Sequence, residues 1–547
     1  MNRLSLKIVG ASGQGINSIG EILAKGLKRS GYCVFGYREY PSLIKGGHAS
    51  YQLDISDAAI ESTEQKINLL VTLNHHGFEH NLREVKDGGI VIHQESGWEF
   101  SATDKEFLEQ HTITIVEVPV EELLTRLKAK PILGNVLLAS VVWALLKQKP
   151  DSLKERVTEQ FSHKKDLLAL NMQCIDEGVR FAKEKAAGKE LKLPKAQKQW
   201  KNHLLITGSQ AMGLGAVHAG VRLYAGYPMT PSSPLLSYIA DLQNETGMVI
   251  KQAEDEITAA QIVSGAMFMG TRALTATSGG GFDLMSETLS LNGIIENPTV
   301  FVLAQRPGPA TGLPTWTGQG DLLMAVHTAH GEFTRCVLSV SDAQDAFDLM
   351  PVAFNLAEEY QISVIVLTDK QIAEALYTQV PFDHERADIH RGHLISDPKE
   401  LEKLASTDRY DPKAEHGISP RWLPGTEAAT YCAQGDEHEA SGTVDETSAN
   451  AKQQLEKRMK KTEALRNALP EPVLYGVERG TWKVESQPVD GVLIGWGSTK
   501  SVVIDVMKEI EGKKEIEGMK DGPARRYGAD NIWNSALSAV LRIIERL

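Results

Sequence analysis

Residues suited to chemistry cluster in the middle of the chain, each at the end of a run that reads as a β-strand. The segment Gly226-Tyr-Pro-Met-Thr-Pro-Ser-Ser-Pro234 brackets Met229 and Thr230 between two prolines. Proline fixes its own backbone and restricts the residue before it. Thr230 is therefore held as a single hydroxyl on a rigid loop, with Ser232 or Ser233 placed to cap the following helix. In Glu254-Asp255-Glu256, acids in a first helical turn are favoured by the macrodipole alone. Glu256 stands apart because it opens the apolar face that continues through Ala260, Val263 and Met267, so its carboxylate is the one aimed inward. Thr275-Ala-Thr-Ser278-Gly-Gly-Gly-Phe282 ends a strand in a triple-glycine turn, which either exposes amides to an anion or packs tightly. Arg306, fixed by Pro307, suits two-pronged recognition of a carboxylate. Thr230, Ser278 and Arg306 all fall at carboxyl ends of strands, where open α/β sheets bind ligands.

Two further segments lie near the N-terminus. Gly10-Ala-Ser-Gly13-Gln-Gly15 sits between a first strand and a first helix, but its spacing is GxxGxG and not the GxGxxG of dinucleotide sites. It reads as a turn or as a site for an anionic group. Tyr37 to Ser50 reads as a polar, aromatic loop in which Lys45-Gly46-Gly47-His48 exposes a cation and bare backbone together. A surface turn with a solvated lysine explains the same residues.

The elements that position these residues alternate between strand and helix. Strands are expected at Leu4–Val9, Cys33–Tyr37, Ser50–Leu53, Asn68–Leu73, Gly89–His93 and Ile113–Val118, with a long apolar helix at Leu133–Leu146. Such alternation implies a mostly parallel sheet covered on both faces. Residues 151–200 are helical in period but rich in lysine, and read as a charged linker. The rhythm restarts with strands at Leu204–Thr207, Arg272–Thr275, Thr299–Ala304, Arg335–Ser339 and Ser363–Leu367. Helices are expected near Ser233–Gln243, Glu256–Met269 and Ala343–Glu359. Residues 381–470 are irregular apart from a charged helix, Ala449–Leu469, and a last βα unit begins at Val492. The expected class is α/β, multidomain and doubly wound, divided at 1–150, 151–200, 201–380, 381–470 and 471–547.

Composition narrows the function. At about 150 residues per domain, the 547 residues suggest three to four domains. A net charge of −13, from 58 basic and 71 acidic residues, argues against nucleic-acid or anionic-membrane binding, which needs a basic face. The longest apolar stretch, Pro131–Leu146, is too short and too polar to span a bilayer. A strand that starts almost at the N-terminus leaves no room for a secretory signal, so a soluble, cytoplasmic protein is expected. Cys33, Cys174, Cys336 and Cys432 are scattered singly, which rules out a zinc ribbon or a self-contained iron–sulfur site.

Together these motifs resemble the 2-oxoacid:ferredoxin oxidoreductases, specifically large subunits in which a gamma-type domain is fused ahead of the alpha-type domain. The marks are Tyr227-Pro-Met-Thr-Pro-Ser-Ser233, Glu254-Asp-Glu-Ile257, Thr277-Ser-Gly-Gly-Gly-Phe282, and Arg306 with Gly308-Pro and Thr311-Gly-Leu-Pro. Lys45-Gly-Gly-His48, Gly417-Ile-Ser-Pro-Arg421 and Gly435-Asp-Glu-His438 add to them. The branch most similar is that of the 2-oxoglutarate enzymes. The resemblance implies that residues 201–380 form the pyrimidine half of a thiamine diphosphate site and that 471–547 are a shortened transketolase C-terminal-like domain. Glu256 would meet N1′ of the aminopyrimidine and promote its imino tautomer, with Tyr227 and Ser278 also against the cofactor. Thr230 and Arg306, with Thr315, would hold the substrate's 1-carboxylate, and Lys45 a distal carboxylate.

The chain lacks the Gly-Asp-Gly that binds diphosphate through a metal, and it lacks cysteines for a cluster. The resemblance therefore implies a beta subunit carrying Mg2+ and a [4Fe–4S] cluster, an alpha2beta2 assembly, CoA as co-substrate and ferredoxin as electron acceptor. Expected products from 2-oxoglutarate are succinyl-CoA, CO2 and reduced ferredoxin. Pyruvate or branched-chain 2-oxoacids are the alternative substrates. A non-catalytic scaffold with a degenerate C-terminus and a nucleotide-binding regulator built on Gly10–Gly15 are the alternative classes.

Overall fold

The computed structural model describes residues 2–43, 45–94, 97–161, 165–404, 406–427, 429–470, 473 and 494–507. Residues 1–505 form one unit, and the account below concerns that unit. Its strands in chain order are β1 (Arg3–Ser12), β2 (Cys33–Glu39), β3 (Gly46–Ser56), β4 (Ile67–Thr72), β5 (Val85–His93) and β6 (Thr114–Glu117). They continue with β7 (Leu204–Thr207), β8 (Leu223–Gly226), β9 (Val249–Gln252), β10 (Ala273–Thr277), β11 (Thr299–Gln305), β12 (Arg335–Ser339), β13 (Ser363–Asp369) and β14 (Leu376–Gln379).

One sheet has the order β6-β5-β4-β1-β3-β2-β14-β7. Its β1, β4, β5 and β6 are parallel, but β3 runs antiparallel to both β1 and β2, and β14 antiparallel to β2 and β7. The expected mostly parallel sheet is thus a mixed one. The cause is the segment Tyr37–Ser50, which is a hairpin and not a loop. Only residues 40–45 separate β2 from β3, far fewer than the dozen or more that a parallel crossover needs. Alternation then sorts β3: Tyr51, Leu53 and Ile55 join the core under helix Ile16–Ser30, while Gln52 and Asp54 pair with Ser5 and Arg3 on the opposite face.

The lysine-rich stretch expected as a linker forms helices Pro150–Phe161 and Lys165–Lys185. Leu153, Val157, Cys174, Ile175, Val179 and Phe181 are buried in the same core as β1 and β3. Lysines on the outer face masked an inner apolar stripe.

The other sheet, β12-β13-β11-β10-β8-β9, is parallel throughout. Leu204–Thr207, expected to begin it, instead pairs with β14 at the edge of the first sheet. The Gly/Ala-rich segment after it is a helix, Gly208–His218, opened by a capping box of Thr207 and Gln210. Its glycines let backbones close up: a Cβ at Gly208 would lie 2.1 Å from the Ile372 carbonyl. Neither candidate serine caps the helix Ser233–Asp241; the Ser232 hydroxyl donates to the Met229 carbonyl at 2.6 Å.

Residues 381–470 wrap the second sheet with little regular structure before helix Ser448–Ala468. That helix is pinned through charge: Lys457 and Lys461 both reach the fully buried Glu296, each at 2.5 Å. Three arginines, Arg272, Arg391 and Arg421, converge on buried Glu358. Cys33, Cys174 and Cys336 are buried, whereas Cys432 is exposed. Among the described residues no single helix is long and apolar enough to cross a membrane. Residues 499–505 are helical; the strand expected from Val492 and the final helix Asn531–Leu547 fall largely or wholly outside the described residues.

Candidate functional site

Neighbouring strands β8, β10 and β11 end side by side. Their carboxyl ends lead into the Tyr227–Ser233 loop, the Ser278–Gly281 turn and the loop that starts at Arg306. This is the crevice position where parallel sheets collect ligands.

The three acids at 254–256 take three different roles. Glu254 is exposed. Asp255 is the N-cap of helix Glu256–Phe268 and accepts from the Thr258 amide at 2.7 Å. Glu256 is turned inward and only 4% exposed, and its Oε1 has no hydrogen-bond partner. A buried carboxyl oxygen left bare is costly, so this position is shaped to meet a polar group from outside the chain.

The triple glycine explains why that oxygen stays aimed. A Cβ on Gly281 would fall 2.1 Å from Thr277 Oγ1 and 2.8 Å from Glu256 Oε1, whereas at Gly280 its nearest neighbour would be 3.8 Å away. Gly281 is therefore needed for close packing on Glu256. Ser278 begins the same turn with a fully buried hydroxyl that lacks a partner.

Arg306 is 8% exposed, and its Nη1 donates to the Thr230 carbonyl at 2.6 Å. The remaining guanidinium nitrogens make no hydrogen bond among the described residues, so they are free for an anion. Burial lowers the Arg306 pKa from its ordinary value, and the nearby Asp321 carboxylate opposes that. The contribution of Thr230 is its carbonyl, which orients the arginine. Thr315 is buried further along the same loop, and Tyr227 lies exposed just beyond β8.

Asp321 was not singled out from the sequence. Its amide donates to Gln305 Oε1 at 3.1 Å, and its buried Oδ2 is unpartnered. A Cβ on Gly279 would lie 3.0 Å from it. Burial raises its pKa, the charge of Asp283 adds to that, and Arg306 opposes it. The sequence signal was slight: one acid in a glycine-rich loop, fifteen positions after Arg306. Lys45 is exposed at the end of the β2–β3 hairpin, its stem beside the turn glycine Gly13. Among the described residues nothing joins it to Arg306 or Thr230. In the Gly10–Gly15 turn, Gln14 folds back so that its Oε1 accepts from the Ala11 amide at 2.7 Å and from Asn74 at 3.0 Å.

Comparison with known proteins places this arrangement. A family profile described as "Pyruvate ferredoxin/flavodoxin oxidoreductase" matches residues 5–181, and one described as "Pyruvate flavodoxin/ferredoxin oxidoreductase, thiamine diP-bdg" matches 214–461. The 2-oxoacid:ferredoxin oxidoreductase subunit alpha of Sulfolobus sp is 31% identical over 93% of this chain and 84% of its own length. The chain belongs to this family of alpha subunits. It is therefore a subunit of a thiamine diphosphate-binding oxidoreductase. A solved 2-oxoglutarate:ferredoxin oxidoreductase from Magnetococcus marinus, with 2-oxoglutarate, coenzyme A and succinyl-CoA bound, is similar at a TM-score of 0.83 and 30% identity. The match covers 94% of this chain and 86% of that one. The 2-oxoglutarate synthase subunit KorA of Methanothermobacter marburgensis is 44% identical over 30% of this chain and 44% of its own length.

The residues present fit a thiamine aminopyrimidine. A bare, buried carboxyl oxygen is suited to a hydrogen bond with the ring nitrogen, and the absence of a side chain at Gly281 leaves room for that carboxyl group.

Proposed function

We propose that this chain is the alpha subunit of an enzyme that oxidatively decarboxylates 2-oxoglutarate with CoA to succinyl-CoA, CO2 and reduced ferredoxin. The observation that carries this reading is Glu256, buried with one oxygen unpartnered, at the carboxyl-end edge of the same sheet as an arginine that has guanidinium nitrogens to spare. Glu256 would form the hydrogen bond with N1′ of the pyrimidine. Arg306, steered by the Thr230 carbonyl, grips the 1-carboxylate common to 2-oxoacids, with Thr315 as a further hold and Ser278 and Tyr227 against the cofactor. When bound, thiamine diphosphate supplies the carbon nucleophile and electron sink for decarboxylation.

The cofactor is shared with a beta subunit that brings Mg2+ and a [4Fe–4S] cluster, in an alpha2beta2 assembly. The chain has no Gly-Asp-Gly and no grouped cysteines, which supports that division. Exposed apolar side chains next to site residues in the chain (Tyr227, Ile257, Leu284, Leu313, Trp316 and Leu323) also support a covering partner. For the substrate, support comes from Lys45 as the hold for a distal carboxylate and from the relatives named for 2-oxoglutarate. The exposed placement of Lys45 favours a second reading, in which pyruvate or a branched-chain 2-oxoacid is used.

The test is CoA-dependent viologen reduction by the anaerobically co-purified complex across a panel of 2-oxoacids. Turnover with 2-oxoglutarate that is lost on removing the small subunit is the expected result. Preference for a monocarboxylic 2-oxoacid would overturn the substrate assignment. No reduction by a complex shown to hold its cluster and thiamine diphosphate would overturn the catalytic reading in favour of a scaffold.

A further inference from the structure

Among the described residues, the loop that carries Arg306 is tied to the first sheet by one side-chain hydrogen bond. Tyr37, on β2, meets Thr317 hydroxyl to hydroxyl at 2.9 Å. Its chain neighbour Gly318 abuts the backbone of the arginine, because the loop closes on its own start. The Leu313 amide donates to the Pro307 carbonyl at 2.9 Å. A Cβ on Gly318 would stand 2.9 Å from the Pro307 nitrogen and 3.1 Å from the Arg306 carbonyl carbon. With no room between residue 318 and Arg306, a shift of Thr317 is passed to the arginine.

Tyr37 is in turn held firmly. The Lys370 ammonium lies 4.2 Å from the centre of its ring and donates to the Arg38 carbonyl. Lys370 is fully buried at the end of β13. Glu374, on the same short helix, accepts from Arg38 at 3.2 Å and from Tyr40 at 2.7 Å. By contrast, packing is thin where Tyr37 reaches across. A polar cavity of about 310 Å3 opens there, lined among others by Lys7, Glu39, Gln52, Trp316 and Thr317. The hydrogen bond is thus the tie on this side of the loop, with the Asp321 amide on Gln305 and the Gln319 side-chain amide on the Trp496 carbonyl as the ties elsewhere.

We infer that Tyr37 is a positioning residue for substrate binding, which acts through Thr317 to hold Arg306 at the 1-carboxylate. This rests on the reading of Arg306 as the carboxylate hold. Because that carboxylate is common to all 2-oxoacids, the effect is the same for each of them. It falls on KM, since Glu256 and its surroundings stay in place.

The experiment is steady-state viologen reduction by the complete complex carrying Tyr37→Phe, Thr317→Val, both together, Thr317→Ser or Arg306→Lys. A single neutral hydrogen bond corresponds to a KM rise of about three- to tenfold, with kcat within about twofold. The expected pattern is that rise in Y37F and T317V, by one factor for every 2-oxoacid turned over. The double variant should be no worse than either single, and T317S should keep the parental KM. An unchanged KM in Y37F, where R306K raises it, overturns the inference and leaves the arginine reading standing. Additive effects of Y37F and T317V, or a fall in kcat and melting temperature at constant KM, also overturn it. An unchanged KM in R306K removes the arginine reading and the inference with it.

Discussion

Gly281 and Gly280 are adjacent in one short helix, yet the structure assigns opposite consequences to replacing them with alanine. Neither has a positive φ, so alanine suits both backbones, and in a helix it is favoured over glycine by about 1 kcal/mol. At position 280 the added methyl would meet nothing nearer than 3.8 Å, so Gly280→Ala should keep that gain. At position 281 it would sit 2.1 Å from Thr277 Oγ1 and 2.8 Å from both Cγ and Oε1 of Glu256. Both side chains are buried, at 1% and 4% exposure, and the collision reaches Cγ of Glu256, near its backbone, as well as its flexible end. Overpacking of this kind costs about 1–3 kcal/mol. Taking the upper figure because two neighbours collide, Gly281→Ala should be about 2 kcal/mol less stable than the parent and about 3 kcal/mol less stable than Gly280→Ala. Displacing Glu256 by even an ångström should also lower kcat by about a hundredfold. Thermal melts and viologen reduction of the intact complex read both quantities. Equal melting temperatures for the two variants would refute the claim that Gly281 is there to make room for Glu256.

Three further outcomes follow from buried charges. Glu256→Gln should lose at least about a hundredfold in viologen reduction in a complex that still assembles; near-parental turnover would count against a catalytic role. Burial lowers the Lys370 pKa to about 8, with Glu374 opposing. Between that pH and the ordinary lysine value near 10.5, the unfolded chain binds more protons, so stability rises with pH by at most about 3 kcal/mol. Lys370→Met should flatten that alkaline rise in denaturation midpoint, and an unaltered slope would be the contrary result. Two lysines hold Glu296 well below the usual carboxylate range against a strong desolvation penalty. Its stabilising contribution is therefore complete above the unfolded value near 4.5 and is lost as pH falls below it. Glu296→Gln leaves Lys457 and Lys461 buried without a counter-charge, and urea unfolding at pH 7 should show a loss of about 3–5 kcal/mol.

The candidate site stood out in the sequence for a physical reason. Its residues sit where local chemistry is unusual: hydroxyls between prolines, glycines in series, an arginine locked by proline. Glu256 could be told from Glu254 and Asp255 by helical phase alone, since a side chain in line with Ala260, Val263 and Met267 must face inward. The parts that were misread depend on partners distant in the chain. Leu204–Thr207 looks like any opening strand, and only its pairing with Leu376–Gln379 moves it to the other sheet. The helical period of 151–200 was plain, but its lysines hid an apolar stripe that completes a core begun at Leu4. Asp321 is unremarkable in sequence and acquires meaning only when the loop folds its carboxylate against Gly279 and toward Arg306. The β2–β3 hairpin was hidden too: the expected strands left twelve residues between them, enough for a parallel crossover, and only their extension to Glu39 and Gly46 shortens the gap to six. That hairpin brings Tyr37 to Thr317, so the same count that corrects the topology also connects the first sheet to the arginine loop.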